Sequence, residues 1–188
     1  MTRRVRLHAD RMFIETANSL LEQMTDKKYE SGNIALASLI IISCATAIES
    51  CINQLFKHKI NGTTFSNYDD LRLKSKIETI LELSNTEVHW GEEPLQSCAE
   101  IIKLRNWLVH FKESNIGLAG ANFTWIPDPT RGKKAHPTID PFLSLSKQNC
   151  SNLYHQTIQL MNFLSSKVYS APKWSDYTPN DKSTFLEY

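Results

Sequence analysis

The chain has 188 residues, of which 41% are hydrophobic and 22% charged, and its formal net charge is +1. Length and composition suit one globular domain and exclude wholesale disorder. The near-neutral charge neither requires nor excludes a nucleic-acid partner, because a binder can carry a local basic patch on a neutral body.

The first residues, MTRRVRLHADRMF, are basic but have no apolar run behind them, so no secretory signal is expected. A first helix is predicted over residues 7–24, where Met12, Phe13, Ala17, Leu20, Leu21 and Met24 recur at helical spacing. The polar stretch TDKKYESGN ends it, with Ser31 or Asn33 as N-cap of the next helix. That second helix, 33–59, is the longest. Its first half is apolar almost all round, which predicts a central or interface position. Its second half turns amphipathic, with Ile48, Cys51, Ile52, Leu55 and Phe56 on one side, and Asn61-Gly62 closes it. The apolar run 34–48 is 15 residues long, against roughly 20 for a bilayer span, so it reads as a buried helix. With neither signal nor span, the expected compartment is the cytoplasm and no membrane partner is expected.

A third helix is predicted over 68–83, a loop over NTEVHWGEEP, and a fourth helix from Pro94 to about residue 111 that buries Leu95, Cys98, Ala99, Ile102 and Val109. Residues 1–110 hold three glycines and one proline, whereas 112–141 hold three glycines and four prolines. The stretch 112–140 is therefore a long irregular insertion. A fifth helix, 141–169, carries Leu145, Leu153, Ile158, Leu160, Met161, Phe163 and Leu164. The expected fold is an all-α antiparallel bundle of about five helices in one domain, 1–170, with an irregular C-terminal tail over 171–188. The cysteines Cys44, Cys51, Cys98 and Cys150 form no CxxC pair, so neither a disulfide framework nor a metal site is expected, and no cofactor motif is present.

The stretch that carries chemistry is RNWLVHF on the fourth helix. Asn106 and His110 are four apart and share a face. Arg105 lies five before His110, about 140° round the axis, and is long enough to reach that face. Histidine titrates near neutrality and can act as general acid or base. Arginine holds a phosphate through two hydrogen bonds. In RNA the neighbouring 2′-hydroxyl can attack, so such a set needs no metal. The spacing alone is weak, since Arg3 to His8 and Arg131 to His136 repeat it. The bland alternative is a helix-end hydrogen-bond pair with Asn106 as a partial cap.

In context the segment resembles the motif of the HEPN superfamily: an arginine, often a polar residue directly after it, and a histidine a few residues on. Arg105, Asn106 and His110 match that form. The earlier ATAIESCINQLF resembles the long HEPN helix, with Glu49 and Asn53 four apart, and LRLKSKIETILELS resembles the helix between them. The resemblance covers about residues 33–111. It implies an antiparallel bundle, a homodimer with two motifs facing one cleft, and metal-independent endoribonuclease activity. His110 would be the acid/base and Arg105 the phosphate clamp. Asn106 would position the histidine or the substrate, and Glu49 would support it. It implies a toxin or stress-response setting, with an antitoxin or other protein partner. The alternative is a non-catalytic HEPN-like module that binds a nucleotide, RNA or protein.

Outside the motif, the loop TRGKKAHP offers Arg131, Lys133 and Lys134 as an RNA phosphate grip, or simply a solvated loop. Trp125 could stack on a base or anchor its loop. His58, His89 and His155 have no partner pattern and are given no role.

Overall fold

The computed structural model describes residues 6–26, 31–60, 68, 70–109, 146–168 and 186–187. Among these, five helices carry the fold: α1 Ala9–Gln23, α2 Ser31–Lys59, α3 Leu73–Glu82, α4 Leu95–Val109 and α5 Lys147–Val168. The protein is an all-α bundle, as its periodicity predicts. A two-residue pairing joins the chain ends: β1 Arg6–Leu7 runs antiparallel to β2 Leu186–Glu187, with Arg6 opposite Glu187 and Leu7 opposite Leu186. Two residues are too few to show alternation in a sequence, so nothing announced this pair.

α2 is the axis of the bundle. Its 29 residues reach about 43 Å at 1.5 Å per residue. It packs most extensively on α1, then on α5, and also touches α3 and α4. Ala37, Ile40, Ile41, Cys44, Ala47, Ile48, Ile52 and Phe56 are all buried along it. By length and apolarity α2 could also cross a bilayer, yet half of its most apolar window lies buried inside the bundle. Alanine and cysteine at 37, 44 and 47 are small enough to let neighbouring helices approach the axis closely.

Asn33, one of the two cap candidates for α2, has a different role. α2 already begins at Ser31. The Asn33 side chain reaches back to the end of α1, where Oδ1 accepts from the Thr25 backbone N–H (3.0 Å) and Nδ2 donates to the Thr25 carbonyl (2.8 Å) and hydroxyl (3.1 Å). Three bonds from one amide thus tie the α1–α2 corner, and burial of Asn33 is tolerable because its donors and acceptor are used.

α3 is shorter than the 68–83 expected. Arg72 has extended backbone (φ −61, ψ 147), which sets the helix start one residue later. At the other end Asn85 takes a left-handed φ of 53, Thr86 N–H bonds the Leu81 carbonyl, and Asn85 N–H bonds that of Glu82. This is the Schellman arrangement, and asparagine tolerates the left-handed position better than most residues. α5 begins six residues later than expected, where Ser146 Oγ caps it by accepting from the Asn149 N–H (3.2 Å). Its buried set, Cys150, Leu153, Tyr154, Thr157, Leu160, Met161, Leu164 and Ser165, is one continuous stripe. Leu145 lies outside the described residues.

On α4 the buried line runs through Leu95, Cys98 and Ile101. Leu95 and Cys98 are buried as expected, but Ala99 and Val109 face outward and Ile102 is half-buried, so beyond Cys98 the stripe is rotated toward Ile101. That rotation decides what α4 presents to its surroundings: Ile102, Arg105 and Asn106 come round to a cleft.

Candidate functional site: a basic cleft between three helices

The cleft has a volume of about 850 Å³ and is lined by Ala45, Thr46 and Glu49 of α2, Leu71, Arg72, Leu73 and Lys74 at the start of α3, and Ile102, Arg105 and Asn106 of α4. Glu49, Arg105 and Asn106 therefore share one hollow although 56 residues separate the first two in sequence. Arg105 is half-buried and Asn106 exposed. The Arg105 Nη1 donates to Asn106 Oδ1 at 3.1 Å, so the amide holds the guanidinium beside it, and its remaining N–H donors have no partner among the described residues.

Asn53 is not among the lining residues. With Glu49 it grips a side chain that periodicity alone would call an ordinary surface lysine. Lys76 is 2% exposed, and its Nζ lies 3.5 Å from Glu49 Oε1 and 3.3 Å from Asn53 Oδ1. A buried ammonium must be paired, and here a carboxylate and an amide four apart on α2 do it. The sequence carried a signal for this: Lys76 falls on the same side of α3 as Leu73, Ile77 and Ile80, inside the apolar stripe.

Arg72 and Lys74 were also not singled out from sequence. Arg72 is the N-cap residue of α3 and makes no side-chain cap bond, so the first-turn amides add partial positive charge at the same end. Lys74 Nζ stands 4.7 Å from the centroid of the Trp90 ring, whose Nε1 donates to Glu78 Oε1 at 2.8 Å. The loop before α4 is thus fastened onto α3, and it fixes where Lys74 sits.

His110 follows the last residue of α4 and lies outside the described residues, as do Arg131, Lys133, Lys134 and Trp125. Burial pushes the thiols of Cys44, Cys98 and Cys150 up to about 12, slightly opposed at Cys44 by the Thr157 hydroxyl and reinforced at Cys150 by Cys44. None of these three is a nucleophile near neutral pH. Among the described residues no group of three histidine, cysteine or acidic side chains is placed to hold a metal ion.

No family model, curated protein or solved structure matches this chain.

Proposed function

We propose that the protein is a HEPN-like, metal-independent endoribonuclease whose phosphate-binding cleft is the hollow between α2, α3 and α4. The observation that carries this reading is the meeting of Glu49, Arg105 and Asn106 in one cleft. Those are three of the five residues that the resemblance selects from two distant segments; Asn53 does not line the cleft and His110 lies outside the described residues. Arg105 clamps the scissile phosphate and stabilises the charge that builds on it. His110 takes the proton of the 2′-hydroxyl as its oxygen bonds to phosphorus. The bond to the 5′-oxygen breaks, and that oxygen takes the proton back from the imidazolium of His110 as it leaves. The products are a 2′,3′-cyclic phosphate and a 5′-hydroxyl. Asn106 holds Arg105 and positions the substrate. Glu49, anchored on Lys76, supports the site from α2.

A homodimer belongs to the same proposal. On α2, Ala35, Leu39, Ile42 and Thr46 follow one another at alternating spacings of four and three and lead straight to Glu49. Leu39 and Ile42 are 50% and 36% exposed, so an apolar stripe ends at the cleft. Pairing of two such stripes about a two-fold axis brings two clefts together. A toxin role with a protein antitoxin, and a cytoplasmic setting, are the further parts of this reading.

The second reading is a non-cleaving module that binds RNA or a nucleotide in the same cleft. It is favoured by cations in the cleft that no carboxylate among the described residues pairs with. Purified protein incubated with RNA in excess chelator separates the two. The nuclease reading expects cleavage that Arg105→Ala reduces by on the order of a hundredfold or more and that His110→Ala abolishes. Binding without cleavage leaves the module.

A further inference from the structure

The cleft has an electrostatic character that the whole chain, at +1, does not. Among the described residues three cations line it, Arg72, Lys74 and Arg105, against one carboxylate, Glu49. That carboxylate is already paired with a fourth cation, Lys76. Arg105 donates to an amide oxygen, which carries no formal charge. Lys74 lies over an aromatic ring, which attracts its charge without cancelling it. Glu78 is four residues from Lys74 on the same helix and could have paired with it, but it accepts from Trp90 instead. Arg72 is exposed, and its guanidinium has neither a hydrogen bond nor an ion pair among the described residues.

Uncompensated like charges around one hollow repel one another, and an anion relieves that repulsion. The hollow, at about 850 Å³, falls within the range of ligand-sized sites and exceeds what one phosphate fills. Its lining also includes Ala45, Leu71, Leu73 and Ile102, with Thr46 and Asn106 as polar groups. Apolar surface suits the faces of bases and sugars, whereas a bare inorganic polyanion would leave it uncovered. The cations stand on two different helices, which suits a chain of phosphates rather than one.

We infer that Arg72 and Lys74 form a second phosphate-binding edge, so that the cleft takes a single-stranded nucleic-acid segment with one phosphate at Arg105 and the next at Arg72 and Lys74. This rests on the phosphate-binding half of the proposed function and does not need cleavage.

The test is fluorescence anisotropy of the full-length chain with a 5′-fluorescein oligouridine bearing 2′-O-methyl groups, which cannot be cleaved. Binding is measured across a salt series for the wild type, for R72A/K74A, for R105A, and for K103A, an exposed lysine of α4 outside the cleft lining. Thermal melting checks that each variant is folded. R72A/K74A is expected to bind on the order of tenfold or more weakly, and its log–log salt slope to be shallower by about 0.7, since it gives up one single-strand phosphate and each contributes about 0.7. R105A loses about 0.7 of slope, and K103A binds as wild type. Wild-type affinity and slope in R72A/K74A beside a weakened R105A would overturn the second edge and leave the proposed function standing. Displacement by uridine monophosphate as readily as by the oligonucleotide would overturn the two-phosphate span. Strand binding with these slopes, but no cleavage of ordinary RNA, would remove the nuclease and uphold the edge. No binding by the wild type would overturn both.

Discussion

Replacing Glu49 with glutamine tests the buried charge that organises the α2 side of the cleft. Lys76 Nζ and Glu49 Oε1 are 3.5 Å apart. At an effective dielectric constant of about 20 their gross attraction is about 5 kcal/mol. Most of it is offset by the desolvation of Lys76, and the Glu49 side chain is 44% exposed, so water screens the pair further. A net coupling of about 1–2 kcal/mol remains. Glu49→Gln keeps the shape and an acceptor oxygen but removes the charge, while Lys76 stays buried against Asn53. It is expected to cost about 1–2 kcal/mol of unfolding free energy. In a Lys76→Met background, which lacks the buried ammonium, the same change is expected to cost close to nothing. Urea unfolding followed by helical circular dichroism, run on the wild type, both single variants and the double variant, measures the coupling. Equal costs of Glu49→Gln in the two backgrounds, within about 0.3 kcal/mol, would refute the pairing.

Asn33→Ala deletes the three bonds at the α1–α2 corner and is expected to lower unfolding free energy by about 1–3 kcal/mol, read from the urea midpoint. Ile48→Ala, at a fully buried position on the central helix, is expected to cost about 2–5 kcal/mol; a cost below about 1 kcal/mol would mean that α2 is not the axis of the core. The buried thiols carry a pH signature. An ordinary cysteine thiol ionises near 9, and burial pushes Cys44, Cys98 and Cys150 up to about 12, so the folded state holds protons that the unfolded chain releases. Their contribution is fully present below pH 9 and is lost as pH rises from 9 towards 12, so Tm falls through that window, and iodoacetamide at pH 8 labels these thiols only when urea is added. Rapid labelling of the native protein would contradict their burial.

The helices were legible because their apolar residues keep a 3.6 period that no turn signal interrupts; 33–59 against the observed Ser31–Lys59 is the clearest case. Ends were less legible, since they depend on local backbone geometry. Arg72 starts α3 through an extended ψ, and Ser146 caps α5 well inside the expected stretch. On α4 two apolar lines compete, one through Ala99, Ile102 and Val109 and one through Leu95, Cys98 and Ile101, and only the packing of neighbours chooses between them. The meeting of Glu49 with Arg105 and Asn106 was legible through resemblance, not through spacing. Lys76, Arg72 and Lys74 were missed for a physical reason. A lysine in RLKSK looks solvated until the carboxylate and amide of another helix are seen to face it, and a basic residue becomes part of a site only when a second wall closes the hollow.

The central claim is that this cleft cleaves RNA by attack of its own 2′-hydroxyl. End-group analysis of RNA incubated with the purified protein in excess chelator, beside His110→Ala, tests it most directly. The account predicts fragments with 2′,3′-cyclic phosphate and 5′-hydroxyl ends from the wild type and intact RNA from His110→Ala. Equal cleavage by both proteins, or none by the wild type, would contradict it.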